Sequence, residues 1–144
     1  MRKVLLFATA AAAMTVAATP LAAQIGGRHL SANLTGRAEV PGPGKPDARG
    51  SASVTVNAGQ NRACYDVRYR NLPRATMAHV HRGAADVAGP PVITLRMAGP
   101  GRFQGCSRIS RALARDLIRT PSRYYVNVHS AAFPDGATRG QLHR

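Results

Sequence analysis

A strict two-residue alternation of apolar and polar side chains is the feature that most constrains how this chain can fold. It is clearest in residues 62–70, which read RACYDVRYR. Successive side chains of a β-strand point to opposite faces, so this pattern predicts a strand with one buried face. The predicted buried face carries Ala63, Tyr65, Val67 and Tyr69, and the opposite face carries Cys64, Asp66, Arg68 and Arg70.

Comparable segments recur along the chain, and turns rich in glycine and proline separate them. They predict strands at residues 29–36, 51–58, 62–70, 75–82, 92–97, 123–131 and 138–143. We expect residues 98–105 to form a loop and residues 133–137 to form a turn. One short helix is predicted at residues 111–119, because Ser110 can cap its first turn and Pro121 ends it. This order of elements indicates an all-β fold, an antiparallel β-sandwich of about seven or eight strands with one short helix.

Residues 1–23 predict a secretory signal peptide. Two basic residues begin it, an apolar alanine-rich stretch follows, and Ala23 provides the small residue before cleavage at Gln24. The alternative is a transmembrane anchor, but Pro20 interrupts the stretch and no second apolar span follows it. We therefore expect one domain over residues 24–144, periplasmic or secreted, with no membrane span after cleavage.

The chain is strongly basic, with 20 lysine and arginine residues against 6 aspartate and glutamate residues. Removal of Arg2 and Lys3 with the signal peptide lowers the formal net charge from +14 to +12. One interpretation is that the exported protein binds an acidic polymer of the cell envelope, which predicts a contiguous arginine face. The other is an arginine-rich composition on an ordinary solvated surface, which is favoured because the arginines are scattered along the chain. No nucleic-acid-binding motif accompanies them, so we expect no specific binding of nucleic acid.

Two cysteines, Cys64 and Cys106, belong to the expected domain. An exported chain with an even number of cysteines favours a disulfide between them. A redox or metal-binding role for these thiols is less favoured, because no CxxC spacing is present.

Three histidines fall on predicted strands at positions that place them on polar faces. His79 and His81 are two residues apart in the segment MAHVHRGA, with Val80 between them as the core residue. His129 alternates with apolar residues in the same way in the segment RYYVNVHSA. If these strands are neighbours, the three imidazoles converge and can bind Cu(II) or Zn(II). Alternatively, the histidines hydrogen-bond to loops and order one end of the fold without binding a metal.

Two charged residues are candidates for supporting roles at this site. Asp86 follows the strand of His79 in a loop, where it is either a fourth metal ligand or an acceptor that orders the loop. Arg139 follows the strand of His129 after a short turn and can contact an anion or strengthen hydrogen bonds at the site. Its alternative role is an ion pair with Asp86 or Asp135. The acidic residues form no obvious catalytic pair, and no catalytic residue is predicted.

Four segments of the chain match one known pattern, and they read LTGRAEVPGPGKPDARGSASVTV, CYDVRYRNL, AHVHRGAADVAGPPVITL and YYVNVHSAAFPDGATRGQL. Together they resemble the chordin-type domain, called the CHRD domain, over about residues 31–142. The resemblance implies an all-β, immunoglobulin-like sandwich in a stand-alone bacterial exported protein with no established activity. In animals, such domains form part of a secreted antagonist of bone morphogenetic proteins, which acts through additional modules.

The sequence leaves two functions open. The first is a non-enzymatic exported binding or structural module, whose partner is an unidentified protein or an acidic envelope polymer. The second is a copper- or zinc-binding sandwich with redox or superoxide dismutase-like activity. It rests on a looser similarity to copper–zinc superoxide dismutase, which shares a β-sandwich, an HVH pair, a disulfide and a late arginine. The sequence has no further His/Asp cluster for the zinc of that enzyme, so the first function is favoured and enzymatic activity stays an open question.

Signal-peptide cleavage can be tested by mass spectrometry. We expect the intact mass of the protein recovered after export to match a chain that begins at Gln24, because the small residue Ala23 precedes that bond. Retention of Met1 on the exported protein would contradict the presence of a cleaved signal peptide.

Overall fold

The computed structural model describes residues 26–144, whose nine β-strands form one antiparallel sheet. The strands are β1 (Arg28–Thr35), β2 (Arg49–Asn57), β3 (Arg62–Arg70), β4 (Ala75–Arg82), β5 (Pro91–Leu95), β6 (Met97–Gly99), β7 (Arg102–Arg108), β8 (Tyr124–Ser130) and β9 (Phe133–Gln141). One α-helix, α1 (Arg111–Arg119), lies between β7 and β8 in the sequence. Short 3₁₀ turns occur at Gly36–Ala38 and Pro121–Arg123. The predicted signal peptide lies outside the described residues.

The strand order is β5-β4-β8-β9-β1-β2-β3-β7-β6, so the sheet consists of two halves that meet where β9 pairs with β1. This junction is narrow: Thr35 pairs with Arg139, and backbone hydrogen bonds of 2.8 and 2.9 Å link Ser31 to His143. The sheet curls so that β5 of one half lies against β7 of the other. The inward side of the curled sheet therefore encloses the core, and the outward side carries the polar faces of the strands.

A hydrophobic core fills the inside of the sheet with residues from alternate strand positions. Leu30, Val54, Val67, Val80 and Val126, from five different strands, are completely buried in it. Their neighbours in the sequence are mostly polar, so the alternation seen in the sequence coincides with the inward and outward faces of the sheet.

Helix α1 covers part of this core, and its bounds confirm the predicted helix. The hydroxyl oxygen of Ser110 accepts a 3.1 Å hydrogen bond from the backbone N–H of Leu113, which caps the first turn. Ala114 and Leu117, one turn apart, are completely buried against the core. No helix formed by residues 26–144 is long and apolar enough to cross a membrane.

The all-β class, the antiparallel pairing and the short helix agree with the sequence prediction. A sandwich of two separate sheets is not confirmed, because the junction between β9 and β1 connects all strands into one sheet. Residues 26–144 form nine strands instead of the predicted seven or eight.

Two stretches account for the difference in strands. Residues 98–105, predicted as a loop, contribute to β6 and β7, which pair with each other, and β7 also pairs with β3. Glycines suggested a loop there, but Gly105 lies opposite Tyr65, and a Cβ at Gly105 would be 3.1 Å from the tyrosine hydroxyl oxygen. Glycine at this position makes room for an aromatic ring on the neighbouring strand and does not form a turn. The predicted turn at residues 133–137 lies within β9, which pairs with β8 from Phe133 onward.

The predicted disulfide is confirmed and joins β3 to β7. Cys64 and Cys106 occupy directly opposite positions in the register, with their Cα atoms 3.9 Å apart. The bridge spans a sequence separation of 42 residues, which includes β4 and β5 of the other half of the sheet. It therefore restricts the chain segment that crosses from one half to the other and back.

Removing the disulfide is expected to lower the free energy of unfolding by about 3–4 kcal/mol, because the bridge closes a long loop in the unfolded chain. The measurement is urea unfolding of the Cys64→Ala/Cys106→Ala variant beside the oxidised wild-type protein. Wild-type protein reduced with dithiothreitol is the control and should show the same loss. An unfolding midpoint that is unchanged in both samples would contradict this expectation.

Candidate metal centre

The three candidate histidines lie on adjacent strands in one half of the sheet. β4 pairs with β8 in a register that sets Met77 opposite His129. His79 and His81 follow Met77 at two-residue intervals, so all four side chains belong to the same outward face. Val80, between the two histidines of β4, is completely buried in the core. The strands of His79 and His129 are therefore neighbours, which was the condition for the three histidines to converge.

The histidine rings approach one another closely. One ring nitrogen of each histidine lies within 4.8 Å of a ring nitrogen of the other two. Nδ1 of His79 and Nε2 of His129 form a 3.2 Å hydrogen bond with each other. The ring centroid of His79 is 5.4 Å from that of His81 and 5.1 Å from that of His129. Nitrogens that share one tetrahedral ion at about 2.0–2.1 Å lie about 3.4 Å apart, so small side-chain rotations bring all three to bonding distance.

Backbone carbonyl groups orient two of the rings. Nδ1 of His81 lies 2.8 Å from the carbonyl oxygen of Gly89, and Nδ1 of His129 lies 2.9 Å from that of Pro134. A carbonyl oxygen can only accept a hydrogen bond, so each Nδ1 carries the proton and each Nε2 keeps its lone pair. Nε2 of His81 is buried and has no hydrogen-bond partner among the described residues. Metal-binding histidines are commonly oriented by such a hydrogen bond on the nitrogen that does not bind the metal.

Burial favours the uncharged form of all three rings. It is the main cause that lowers the pKa of His79 to about 4, and the neighbouring His129 and His81 contribute to the shift. Burial also lowers the pKa of His81 and of His129, although the hydrogen bonds to backbone carbonyls oppose this effect. Only the neutral imidazole binds a metal ion, so the cluster is in its ligand form at neutral pH.

Tyr125 connects the histidine cluster to a buried arginine. Its ring stacks on the ring of His81, with the centroids 4.8 Å apart and the planes 10° from parallel. The guanidinium carbon of Arg139 lies 3.4 Å from the centroid of the same tyrosine ring. Arg139 is only 1% exposed, and its Nη2 donates a 2.5 Å hydrogen bond to the carbonyl oxygen of Ala84. A buried positive charge therefore lies beside the cluster, and its Nη1 has no hydrogen-bond partner among the described residues.

The structure does not bring Asp86 to the histidines. Asp86 is exposed in the loop between β4 and β5, and the group of potential ligands within 4.8 Å of one another contains only histidines. Among the ion pairs within residues 26–144, none joins Arg139 to Asp86 or to Asp135. The Ala84 carbonyl and the Tyr125 ring hold Arg139 instead.

Sequence reasoning missed a buried polar pair beside the site. Asn127 lies opposite His79 in the register, and its Nδ2 donates a 3.3 Å hydrogen bond to Oε2 of Glu39. Glu39 is only 7% exposed, and burial raises its pKa to about 7 although the charge of Arg139 opposes this shift. The alternation of residues around His129 does predict that Asn127 lies on the same outward face as His129, but it does not predict its partner. Glu39 follows a 3₁₀ turn in a proline-rich loop, where no periodic pattern marks it.

The fold and the cluster define an all-β domain that carries a three-histidine group on the outward face of its sheet. The family model for the CHRD domain matches residues 30–142, which include all three histidines and the disulfide. The chain therefore belongs to the CHRD domain family, and the resemblance inferred from the four sequence segments is confirmed. Comparisons with curated proteins and with solved structures find no match.

Replacing Glu39 by glutamine is expected to remove part of the pH dependence of stability. The carboxyl has a pKa of about 7 in the folded protein against an ordinary value of 4.5, so the folded state binds its proton more tightly than the unfolded state does. Between about pH 4 and pH 8, the free energy of unfolding of the wild type should therefore fall by about 3 kcal/mol relative to that of the Glu39→Gln variant. Urea unfolding of both proteins across this range measures the difference, in which the contributions of the histidines cancel.

An Asp47→Asn variant is a suitable control for this experiment. Asp47 is exposed, and its hydrogen bond with Lys45 holds the pKa of its carboxyl below the usual range. Relative to this variant, the stability of the wild type should not fall as the pH rises. A difference between wild type and Glu39→Gln that stays constant with pH would contradict a raised pKa for Glu39.

Proposed function

We propose that this CHRD chain is an exported binding module whose ligand is one copper or zinc ion, held by His79, His81 and His129. The observation that carries the proposal is the convergence of three imidazoles, with one nitrogen of each within 4.8 Å of the others. The carbonyl groups of Gly89 and Pro134 support it, because they orient His81 and His129 with the proton on Nδ1 and the lone pair on Nε2, the form that a metal-binding histidine needs.

This arrangement favours a metal site over a role in ordering loops alone. Hydrogen bonds from Nδ1 to backbone carbonyl groups are consistent with both roles. A purely structural role, however, leaves the buried Nε2 of His81 without a partner, which costs free energy. A metal ion would satisfy this atom and would replace the 3.2 Å hydrogen bond between the ring nitrogens of His79 and His129.

Copper is the preferred metal for two reasons. Nitrogen sites generally bind Cu(II) more strongly than Zn(II). In addition, Met77 lies directly opposite His129 in the register, and 47% of its surface is exposed. Directly opposed residues have Cβ atoms about 4.5–5.5 Å apart, which places the Met77 thioether near the cluster. Thioethers are soft ligands that select Cu(I), so Met77 is the proposed fourth ligand for reduced copper.

The proposed role is metal binding without catalysis. Among the residues that the structure describes, His79, His81 and His129 are the only group of three or more potential ligands. No second metal position of the kind used by copper–zinc dismutases is therefore offered there. Export is part of the proposal and is supported by the sequence of the predicted signal peptide and by the disulfide, since disulfides persist in oxidising compartments.

Calorimetric titration with Cu(II) and with Zn(II) tests the site. We expect about one ion per chain for the wild type and no binding by the His79→Ala/His81→Ala variant, because a single remaining histidine is too few ligands. The His29→Ala/His143→Ala variant is the matched control. These two histidines are exposed and lie outside the cluster, so their removal should leave binding unchanged.

Circular dichroism shows whether each variant remains folded. Loss of binding in a folded His79→Ala/His81→Ala variant supports the site. No binding by the wild-type protein, together with a lower unfolding temperature of the double variant, would leave the histidines only a role in ordering loops. The preference for copper is tested with Met77→Leu, which should weaken binding of Cu(I) and leave binding of Zn(II) unchanged.

A further inference from the structure

Six arginines are collected on the outward side of the other half of the sheet. Strands β2, β3 and β7 pair side by side, and the outward residues of each alternate with buried ones. The arginines are Arg49 on β2, Arg62, Arg68 and Arg70 on β3, and Arg102 and Arg108 on β7. We call this surface the arginine face.

The strand register sets these arginines against one another in pairs. The directly opposed pairs are Arg49 with Arg70, Arg68 with Arg102, and Arg62 with Arg108. Side chains at such positions have Cβ atoms about 4.5–5.5 Å apart, and like charges there are destabilising. The pairing of Arg49 with Arg70 and of Arg62 with Arg108 is therefore unfavourable for the isolated protein. Oxyanions bound between these guanidinium groups would replace repulsion with charge-assisted hydrogen bonds, as the Asp66 carboxylate does between Arg68 and Arg102.

One acidic residue offsets only part of this charge. Asp66 accepts two hydrogen bonds from Arg102, of 3.0 and 2.6 Å, which hold the pKa of its carboxyl below the usual range. The same carboxylate lies 3.6 Å from Nη2 of Arg68, whose side chain is 64% exposed. Asp66 is the only acidic residue at the outward positions of β2, β3 and β7, so the arginine face keeps a large positive excess.

A shallow groove crosses one end of the arginine face. It has a volume of about 270 Å³, and its lining residues are Arg49, Gly50, Ser51, Arg68, Tyr69 and Arg70. Arg68 and Arg70 are two residues apart on one strand, which separates their Cα atoms by about 6.7 Å. Guanidinium groups at this spacing can bind successive oxyanions of an extended chain, because their planar donors fit phosphate and carboxylate groups.

The other residues of the arginine face indicate which class of anionic partner fits it. Apart from the arginines and Asp66, its outward positions hold serine, threonine, asparagine, glutamine and the Cys64–Cys106 disulfide. These positions of β2, β3 and β7 carry no aromatic ring that could stack on a nucleic-acid base. Tyr69 lines the groove from an inward position, and its ring packs against that of Phe103 with the centroids 5.7 Å apart. They also carry no large apolar side chain that could enter a lipid bilayer. An extended polymer that presents only charged groups fits this chemistry best.

We propose that the arginine face binds a linear acidic polymer through the repeating phosphate or carboxylate groups of that polymer. The face lies in the half of the sheet that does not contain the histidine cluster, so it is a second site, independent of the proposed metal centre. The scattered arginines of the sequence favoured an ordinary solvated surface, but the strand register brings six of them onto one face.

Binding of polyphosphate and of polygalacturonate, measured over a series of salt concentrations, tests this proposal. We expect the logarithm of the affinity for at least one polymer to fall linearly with the logarithm of the salt concentration. The variant Arg62→Gln/Arg68→Gln/Arg70→Gln should bind about tenfold more weakly, with a slope smaller by about three, one for each arginine removed. Comparison of the two polymers shows whether phosphate or carboxylate is preferred.

The matched control removes the same charge from helix α1 and is the variant Arg111→Gln/Arg115→Gln/Arg119→Gln. These three arginines are exposed and lie outside the arginine face, so the affinity should change by less than about twofold. An equal loss in both variants would show that net charge alone drives binding and would overturn the proposal.

Competing ligands and thermal unfolding provide two further readouts on the arginine face. The proposal is overturned by absence of polymer binding at low salt, by tighter binding of single-stranded nucleic acid, or by binding only to vesicles that contain phosphatidylglycerol. The unfolding temperature of the face variant at low salt should not decrease, since removal of opposed charges relieves repulsion. A marked decrease would show that these arginines stabilise the fold and would overturn the proposal, which requires that they repel one another in the free protein.

Discussion

The pairing of β4 with β8 is the contact on which the candidate metal centre depends. Val80 lies opposite Val126 in this register, and both are completely buried. Because side chains alternate with a period of two, a slip of one residue would turn His79 and His81 toward the core and expose the valine between them. Full burial of each valine contributes about 1.5–3 kcal/mol, so the hydrophobic core itself keeps the histidines on the outward face.

The outward face of β8 is covered as well, which explains how polar residues there come to be buried. All seven residues of β8 are buried. The loop after β4 supplies the carbonyl oxygens of Gly89 and Ala84, which accept hydrogen bonds from His81 and Arg139. The carbonyl oxygen of Pro134, on the neighbouring strand β9, accepts the hydrogen bond from His129. The close approach of one loop requires Gly89, since a Cβ at that position would overlap the carbonyl oxygen of Arg82. Gly89 therefore determines where the carbonyl oxygen that accepts the hydrogen bond from Nδ1 of His81 lies. This bond leaves Nε2 of His81 as the nitrogen that can bind a metal.

The sequence predicted what is local to each segment and missed what depends on pairing between segments. Alternation identified β3, β4 and β8 and the outward placement of the three histidines, and the capping serine identified α1. The glycines before Cys106 predicted a loop, because nothing local shows that Gly105 accommodates Tyr65 of another strand. Glu39 was missed for a related reason: its burial is produced by contacts with Asn127 and Arg139, which are distant in the sequence.

Outward polar side chains are buried in one half of the sheet and exposed to solvent in the other. This difference determines which kind of ligand each half can bind. At the histidine cluster, burial removes water and favours the neutral ring, so recognition there depends on coordination chemistry and on ligand geometry. On the arginine face, solvent and salt screen the repulsion between opposed guanidinium groups. The fold therefore tolerates an excess of positive charge there that would be too costly around the buried histidine cluster. The polymer binding proposed for that face depends on charge and should therefore weaken as salt rises. The proposed metal ion and the proposed acidic polymer therefore require different surroundings, and one small domain provides both, because one outward face of its sheet is desolvated and the other is not.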